Sequence, residues 1–236
     1  MYQQAGSTIG KALLSTAAPG ILPISYAAPI EWPISGLSAC IKRSIDVIIA
    51  LLALPFLAIP MLAIAVAIHM ESPGPILFRQ RRIGLANVGF EILKFRTMHH
   101  DSPQCGRLTQ VSRDDPRVTR VGAWLRRTSF DEFPQLFNVL RGDMSIVGPR
   151  PHAPGTCAGG KPFELVTTRY PARHSVRPGL TGLAQVRGLR GETETEEKLL
   201  RRVDSDLEYI DNWSLWLDCT ILARTVVSVL TMRNAY

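Results

Sequence analysis

"KRSIDVIIALLALPFLAIPMLAIAVAIHMESPGP", Lys42 to Pro75, decides how the rest of the chain is read. From Val47 to Ile68 it holds no charged residue, and about twenty such residues in a helix are enough to cross a bilayer. Two features argue against a plain span. Pro55 and Pro60 lie inside the run, and each removes a backbone donor and crowds the preceding turn, which predicts a kink or break. Bases flank both ends, Lys42 and Arg43 before and Arg79, Arg81 and Arg82 after. Since bases mark the cytoplasmic side of a membrane segment, a segment that enters and leaves by one face stands beside a transmembrane helix and a soluble core helix as a reading.

Upstream, residues 1–38 are rich in Ala, Gly, Ser, Pro and Thr, with Lys11 as the one base. That composition predicts a loosely held tail and lacks the charged start and compact apolar core of a signal peptide. Downstream, "ILFRQRRIGLANVGFEILKFRTM" alternates apolar and polar residues on either side of Gly84, Asn87 and Gly89. This predicts a β-hairpin with a basic face formed by Arg79, Arg81 and Arg82. Residues His99 to Pro116 read as polar loop. A short helix follows in "RVTRVGAWLRRT", with Val118, Val121, Trp124 and Leu125 on one face. A second runs from Pro134 to Leu140, with Leu136, Phe137 and Leu140 inward and Gly142 past its end. The apolar stretch "YIDNWSLWLDCTILARTVVSVL" is interrupted by Asp218 and Arg224. It reads as either an interfacial or a core amphipathic helix, and Trp32, Trp213 and Trp216 are of the type enriched at membrane interfaces.

The chain is 236 residues long and carries a formal charge of +7. That balance suits nucleic acid, an anionic membrane surface or phosphorylated substrates. Cys40, Cys105, Cys157 and Cys219 are scattered and have no C-x-x-C spacing, which excludes a recognisable zinc site or disulfide framework. No P-loop or dinucleotide fingerprint is present.

The chemistry concentrates in "RRTSFDEFPQLFNVLRGDMSIVGPRP", Arg126 to Pro151. Adjacent Asp131 and Glu132 could simply favour a helix N-terminus. Yet Arg126, Arg127, Arg141 and Arg150, with Arg177 further on, ring them as an anion site would be ringed. Carboxylates in an anion site repel the ligand unless a divalent cation intervenes or one of them is the nucleophile, and both features belong to phosphoryl transfer.

"KRSID", "LKFRTM", "DDPRVTRVG", "LRRTSFDEFPQLFNVLRGDMSIVGPRP" and "RPGLTGLAQV" resemble, in order, the bacterial sugar transferases. These are monotopic phosphoglycosyl transferases that load a sugar 1-phosphate onto a polyprenyl phosphate. The resemblance covers about Lys42 to Tyr236, and the tail "RGETETEEKLLRRVDSDLEYIDNWSLWLD" is most similar to members that transfer glucose 1-phosphate. It implies an α+β, mainly helical chain: residues 1–38 a tail, 39–72 a re-entrant membrane helix, and 73–236 a catalytic domain with a small hairpin and interfacial helices, on the cytoplasmic face of the bacterial inner membrane. It implies catalysis by Asp131 and Glu132 with Mg²⁺ held by the same two residues. Arg126, Arg127, Arg150, Arg177 and Arg190 are the candidate substrate-binding residues. Lys42, Arg43, Asp46 and Pro60 mark the re-entrant helix. The implied partners are a UDP-sugar, undecaprenyl phosphate and the membrane, with a homodimer possible and no nucleic acid. Two departures stand out: the family's Ser-Pro break is Ile59-Pro60 here, and the Trp of "TGWAQV" is Leu183. The competing reading is a catalytically idle, membrane-bound scaffold on the same fold; it would be free to lose Asp131, Glu132 or Arg150, and none is lost.

Overall fold

A computed structural model describes residues 34–100, 115–189 and 191–231. The tail to position 33, Trp32, Cys105 and Arg190 lie outside the described residues. Helix α1 (Gly36–Glu71) is followed by the hairpin of β1 (Leu77–Ile83) and β2 (Gly89–Phe95). Then come α2 (Arg120–Thr128), a 3₁₀ turn at Phe130–Glu132, α3 (Gln135–Arg141) and β3 (Ser145–Val147). The two-residue strands β4 (Cys157–Ala158) and β5 (Lys161–Pro162) pair with each other, and α4 (Phe163–Val166) and a 3₁₀ turn at Tyr170–Ser175 follow. Next are β6 (Gly179–Thr181), α5 (Leu183–Val186), α6 (Glu196–Asp211) and α7 (Leu215–Leu230). The only parallel pairing among the described residues joins β3 to β6. The chain is thus mainly helical with little strand, as expected.

The long helix does not break. Its backbone stays helical through Pro55 and Pro60. Each proline removes a single donor, toward the carbonyl four residues back. One side of α1 supplies Ala50 to the main core and Ile64 and Ile68 to a second core with Phe95 and Leu125. The other side is bare: Leu51, Leu52, Phe56, Ile59, Leu62 and Val66 are all at least half exposed. An apolar stripe of that length is not what a water-facing surface carries.

Both ends of α1 are fastened to the same folded unit. At the start, Arg43 donates to the carbonyls of Val139 and Leu140 at 2.6 and 3.0 Å, where α3 ends and a cation is favoured. Asp46 accepts from the Ile146 N–H of β3 at 3.0 Å, and Lys42 pairs with Asp218 of α7 at 2.9 Å. At the finish, Glu71 accepts from the Val121 N–H at 3.1 Å, and Arg96 donates to the carbonyls of Ser72 and Pro73, each at 2.6 Å.

Three expectations are corrected in detail. Phe137 faces out, because a two-turn helix offers one inner face and Leu136 and Val139 fill it. Trp124 is likewise exposed, and Val118 precedes α2 in a bridge to Met98. The C-terminal stretch is two helices: Trp213 lies in the bend between them and donates inward to Asp218 at 3.3 Å, while Trp216 alone of the pair is open, at 81 %.

Candidate active site

The segment holding the acid pair is steered by backbone geometry. Thr119 caps α2 by accepting from the Gly122 N–H at 2.9 Å. A Cβ on Gly122 would sit 2.1 Å from the Thr97 carbonyl oxygen, so α2 can approach the end of the hairpin only with glycine there. Helix α2 stops at Ser129, a non-glycine residue at φ +62°. That left-handed residue is uncommon outside Gly, Asn and Asp and turns the chain into the 3₁₀ turn that carries Asp131 and Glu132. Pro134 is the N-cap of α3, and no side chain caps that helix. The carboxylates therefore make no capping hydrogen bond to α3, and lie in the 3₁₀ turn that leads into it.

They face cations instead. Arg150 grips Glu132 as a fork, Nη2 to Oε1 at 2.6 Å and Nη1 to Oε2 at 3.2 Å. Lys94 of β2 lies between the two acids, with Nζ at 2.7 Å from Glu132 Oε1 and 3.4 Å from Asp131 Oδ2. The charge states diverge accordingly. Burial pushes the Asp131 carboxyl up, Lys94 opposes this and the Glu132 charge adds to it. Burial acts the same way on Glu132, but Arg150 and Lys94 outweigh it and hold that carboxyl well below the usual range. Glu132 is a fixed anion, and Asp131 is the less tightly held partner.

The pair opens on a cavity of about 400 Å³. Lys94, Arg126, Asp131, Glu132 and Arg150 make its polar wall. Ile49, Ala53 and Leu57 of α1, with Leu222 and Val229 of α7, contribute an apolar wall. A small polar reactive group and a long hydrocarbon can thus share one chamber.

Arg150 is braced from beneath. Arg173, almost wholly buried, donates from Nη2 to the Arg150 carbonyl at 2.8 Å and from Nε to Asp206 at 2.7 Å. Its Nη1 lies 2.9 Å from His152 Nδ1, while Arg202 stands 3.2 Å from His152 Nε2 and donates to the Leu189 and Gly191 carbonyls. Burial, then the charges of Arg173 and Arg202, drive the His152 pKa well down, so this imidazole is neutral.

Of the predicted residues, the fold brings together Asp131, Glu132, Arg126 and Arg150. Arg127 is exposed on α2 and is not part of the cavity wall, since adjacent helical residues point about 100° apart. Arg177 is elsewhere too: its Nε donates to the Gly142 carbonyl at 3.0 Å, closing the end of α3. Leu183 is buried in the main core. Lys94 was missed; its signal lay in "LKFRTM", on the strand face shared with Ile92.

Asp131 and Glu132 can hold a divalent cation in one manner. No further His, Cys, Asp or Glu joins them in a metal-binding group among the described residues. Magnesium commonly uses one or two carboxylates and completes its shell with water and substrate phosphates. The donor set fits that mode, with Lys94 holding part of the same space.

Residues 37–232 match the sequence profile of the family described as bacterial sugar transferase. The chain is similar to an undecaprenyl-phosphate glucose phosphotransferase of Komagataeibacter xylinus, 48 % identical over 214 residues, which are 91 % of this chain and 40 % of that protein. It is 54 % identical over 197 residues to a UDP-glucose:undecaprenyl-phosphate glucose-1-phosphate transferase of Caulobacter vibrioides, covering 83 % of this chain and 72 % of that one. Against exopolysaccharide production protein PSS of Rhizobium leguminosarum bv. phaseoli the identity is 48 %, over 83 % of this chain and 98 % of the relative. The chain thus spans under half of the first of these relatives and nearly all of the last.

Proposed function

The chain belongs to the bacterial sugar transferase family, and from that premise we propose that it moves glucose 1-phosphate from UDP-glucose to undecaprenyl phosphate, releasing UMP. The observation that carries this reading is the two-sided cavity, with a carboxylate dyad set among cations on one wall and helix-borne aliphatic side chains on the other. A polyprenyl phosphate needs both. The names of the relatives supply the donor sugar and the acceptor.

The chemistry runs in two displacements. An ionised Asp131 oxygen attacks the sugar-bearing phosphorus, and the bond from that phosphorus to the bridging oxygen breaks, with UMP leaving on the electron pair. The lipid phosphate oxygen then attacks the same phosphorus and Asp131 leaves, regenerating its carboxylate. Glu132, fixed by Arg150 and Lys94, orients the turn that carries Asp131. Lys94, Arg126 and Arg150 offset the charge of the diphosphate and of the departing UMP. A magnesium ion held by Asp131 and Glu132 would add electrostatic stabilisation of the phosphoryl oxygens and favour the ionised form of Asp131. UMP release from UDP-glucose by the membrane-bound chain, dependent on undecaprenyl phosphate and abolished by Asp131→Asn, tests the reading. Wild-type protein that releases no UMP contradicts it.

The same reading places α1 in the membrane as a re-entrant helix, with the catalytic unit on the cytoplasmic face of the inner membrane. Support comes from the two clamps: a spanning α1 would put the Lys42–Asp46 end and the Glu71–Ser72 end on opposite sides, although one folded unit holds both. Cysteines at exposed Leu37 and Met70, in a chain without its native thiols, test this in intact cells. Both should resist a membrane-impermeant thiol reagent until the cells are permeabilised; labelling of only one from outside would establish a span.

A further inference from the structure

One guanidinium on the site side of the hairpin has no role in the scheme above. In the β1–β2 register Phe78 pairs with Lys94, Gln80 with Ile92 and Arg82 with Phe90. Cross-strand partners and alternate residues share a face. That face is the one whose Lys94 reaches the dyad and whose Ile92 enters the core. Arg79 and Arg81 are on the opposite face, where Arg79 makes an exposed pair with Glu91 at 3.9 Å. The basic ribbon read from the sequence is therefore split, and Arg82 is its inward arginine.

Arg82 is half-buried and poorly compensated. Its Nη2 donates to the neutral Gln80 amide oxygen at 2.5 Å, and its Nε is buried without a hydrogen-bond partner among the described residues. The carboxylate acting on it is Glu132, already shared by Arg150 and Lys94. Burial, and then the like charge of Arg150, lower it to about 10. The backbone keeps these arginines together, since the Ile83 N–H donates to the His152 carbonyl at 3.2 Å, one residue from Arg82 and two from Arg150. Two neighbouring guanidiniums with one shared carboxylate call for a further anion. Arg82 is not among the residues that line the cavity with Arg150, and its side chain is partly exposed.

We infer that Arg82 is a phosphate-binding residue, forming with Arg150 a guanidinium pair that grips the diphosphate of the nucleotide-sugar donor. This rests on the proposed transfer reaction. The donor is favoured over the lipid phosphate because Arg82 lies outside the chamber whose other wall is apolar.

The test uses the full chain in lipid nanodiscs, as wild type, Arg82→Gln and Arg82→Lys, with steady-state UMP release. For Arg82→Gln the KM for UDP-glucose should rise about tenfold or more, the KM for undecaprenyl phosphate should stay within about twofold, and inhibition by inorganic pyrophosphate should weaken in parallel. Arg82→Lys should recover part of the donor KM, because it keeps the charge and loses the fork. A rise confined to the lipid KM would overturn the donor assignment. Unchanged KM values and unchanged pyrophosphate inhibition, with or without a lower melting temperature, would overturn the phosphate role. A wild type that releases no UMP would sink the transfer reading alone; weaker calorimetric binding of pyrophosphate to Arg82→Gln would still support the pair, and equal binding would refute it.

Discussion

Two buried acid–arginine clusters lie close together in this molecule and are built to opposite ends. At Arg173 and Asp206 both side chains are about 1–2 % exposed, the ion pair is 2.7 Å, and the remaining guanidinium nitrogens are placed on His152 and the Arg150 carbonyl. At the dyad one acid is gripped and the other is not: Glu132 has Arg150 and Lys94 at 2.6 and 2.7 Å, whereas Asp131 has Lys94 at 3.4 Å. The first cluster is closed and lies outside the wall of the cavity that the dyad faces. The second is incomplete and faces that cavity. Satisfied burial of charge makes architecture; partial satisfaction beside an opening leaves a group free to react.

The comparison can be broken most severely at Asp131. Asp131→Asn should lower kcat by at least about a thousandfold with no loss of melting temperature, because neutralising an acid that burial already disfavours costs the fold nothing. Equal loss of activity and stability would make Asp131 architectural. At the closed cluster the outcome reverses: Arg173→Met strands Asp206 in the interior and should cost about 3–5 kcal/mol of stability, read from thermal or denaturant unfolding in detergent. A Tm unchanged from wild type would show that the cluster is not closed.

A smaller effect distinguishes the two acids by pH. Asp131 has a raised folded pKa, so its stabilising contribution is fully present below the unfolded value of about 4 and is lost as pH rises through the folded value. Glu132 has a depressed folded pKa, so its contribution is present above the unfolded value of about 4.3 and is lost as pH falls through the folded value. Melting curves from acid to neutral pH should show Asp131→Asn gaining on wild type as pH rises and Glu132→Gln losing ground. Parallel curves would mean that the two acids share one environment. The smallest effect belongs to the open surface, where the Arg169–Asp204 pair is about 60 % exposed on both sides. Asp204→Asn should change stability by no more than about 1 kcal/mol and leave UMP release unchanged.

What the sequence made legible was local. The charge-free run, the hairpin, the acid pair and Arg150 each declare themselves within a few residues. What stayed hidden depends on distance in the chain. Arg173 meets Asp206 across 33 residues and Arg202 meets His152 across 50, and no periodicity links such pairs. Lys94 looked like one polar residue of an alternating strand until the register set it over the dyad. Arg127 and Arg177 were grouped with the site because they are arginines near it in sequence, but one points off α2 and the other closes α3. Pro55 and Pro60 suggest a kink or a break, and the backbone stays helical through both.

The central claim is that Asp131 bonds to phosphorus. The full chain in nanodiscs, incubated with UDP-glucose and Mg²⁺ but no lipid phosphate, should gain the mass of one hexose phosphate, located by peptide mapping on Asp131. Adding undecaprenyl phosphate should discharge it, and Asp131→Asn should gain nothing. An adduct on Glu132, an equal adduct on Asp131→Asn, or normal turnover with no adduct at all would contradict the account; the last would leave direct attack by the lipid phosphate in its place.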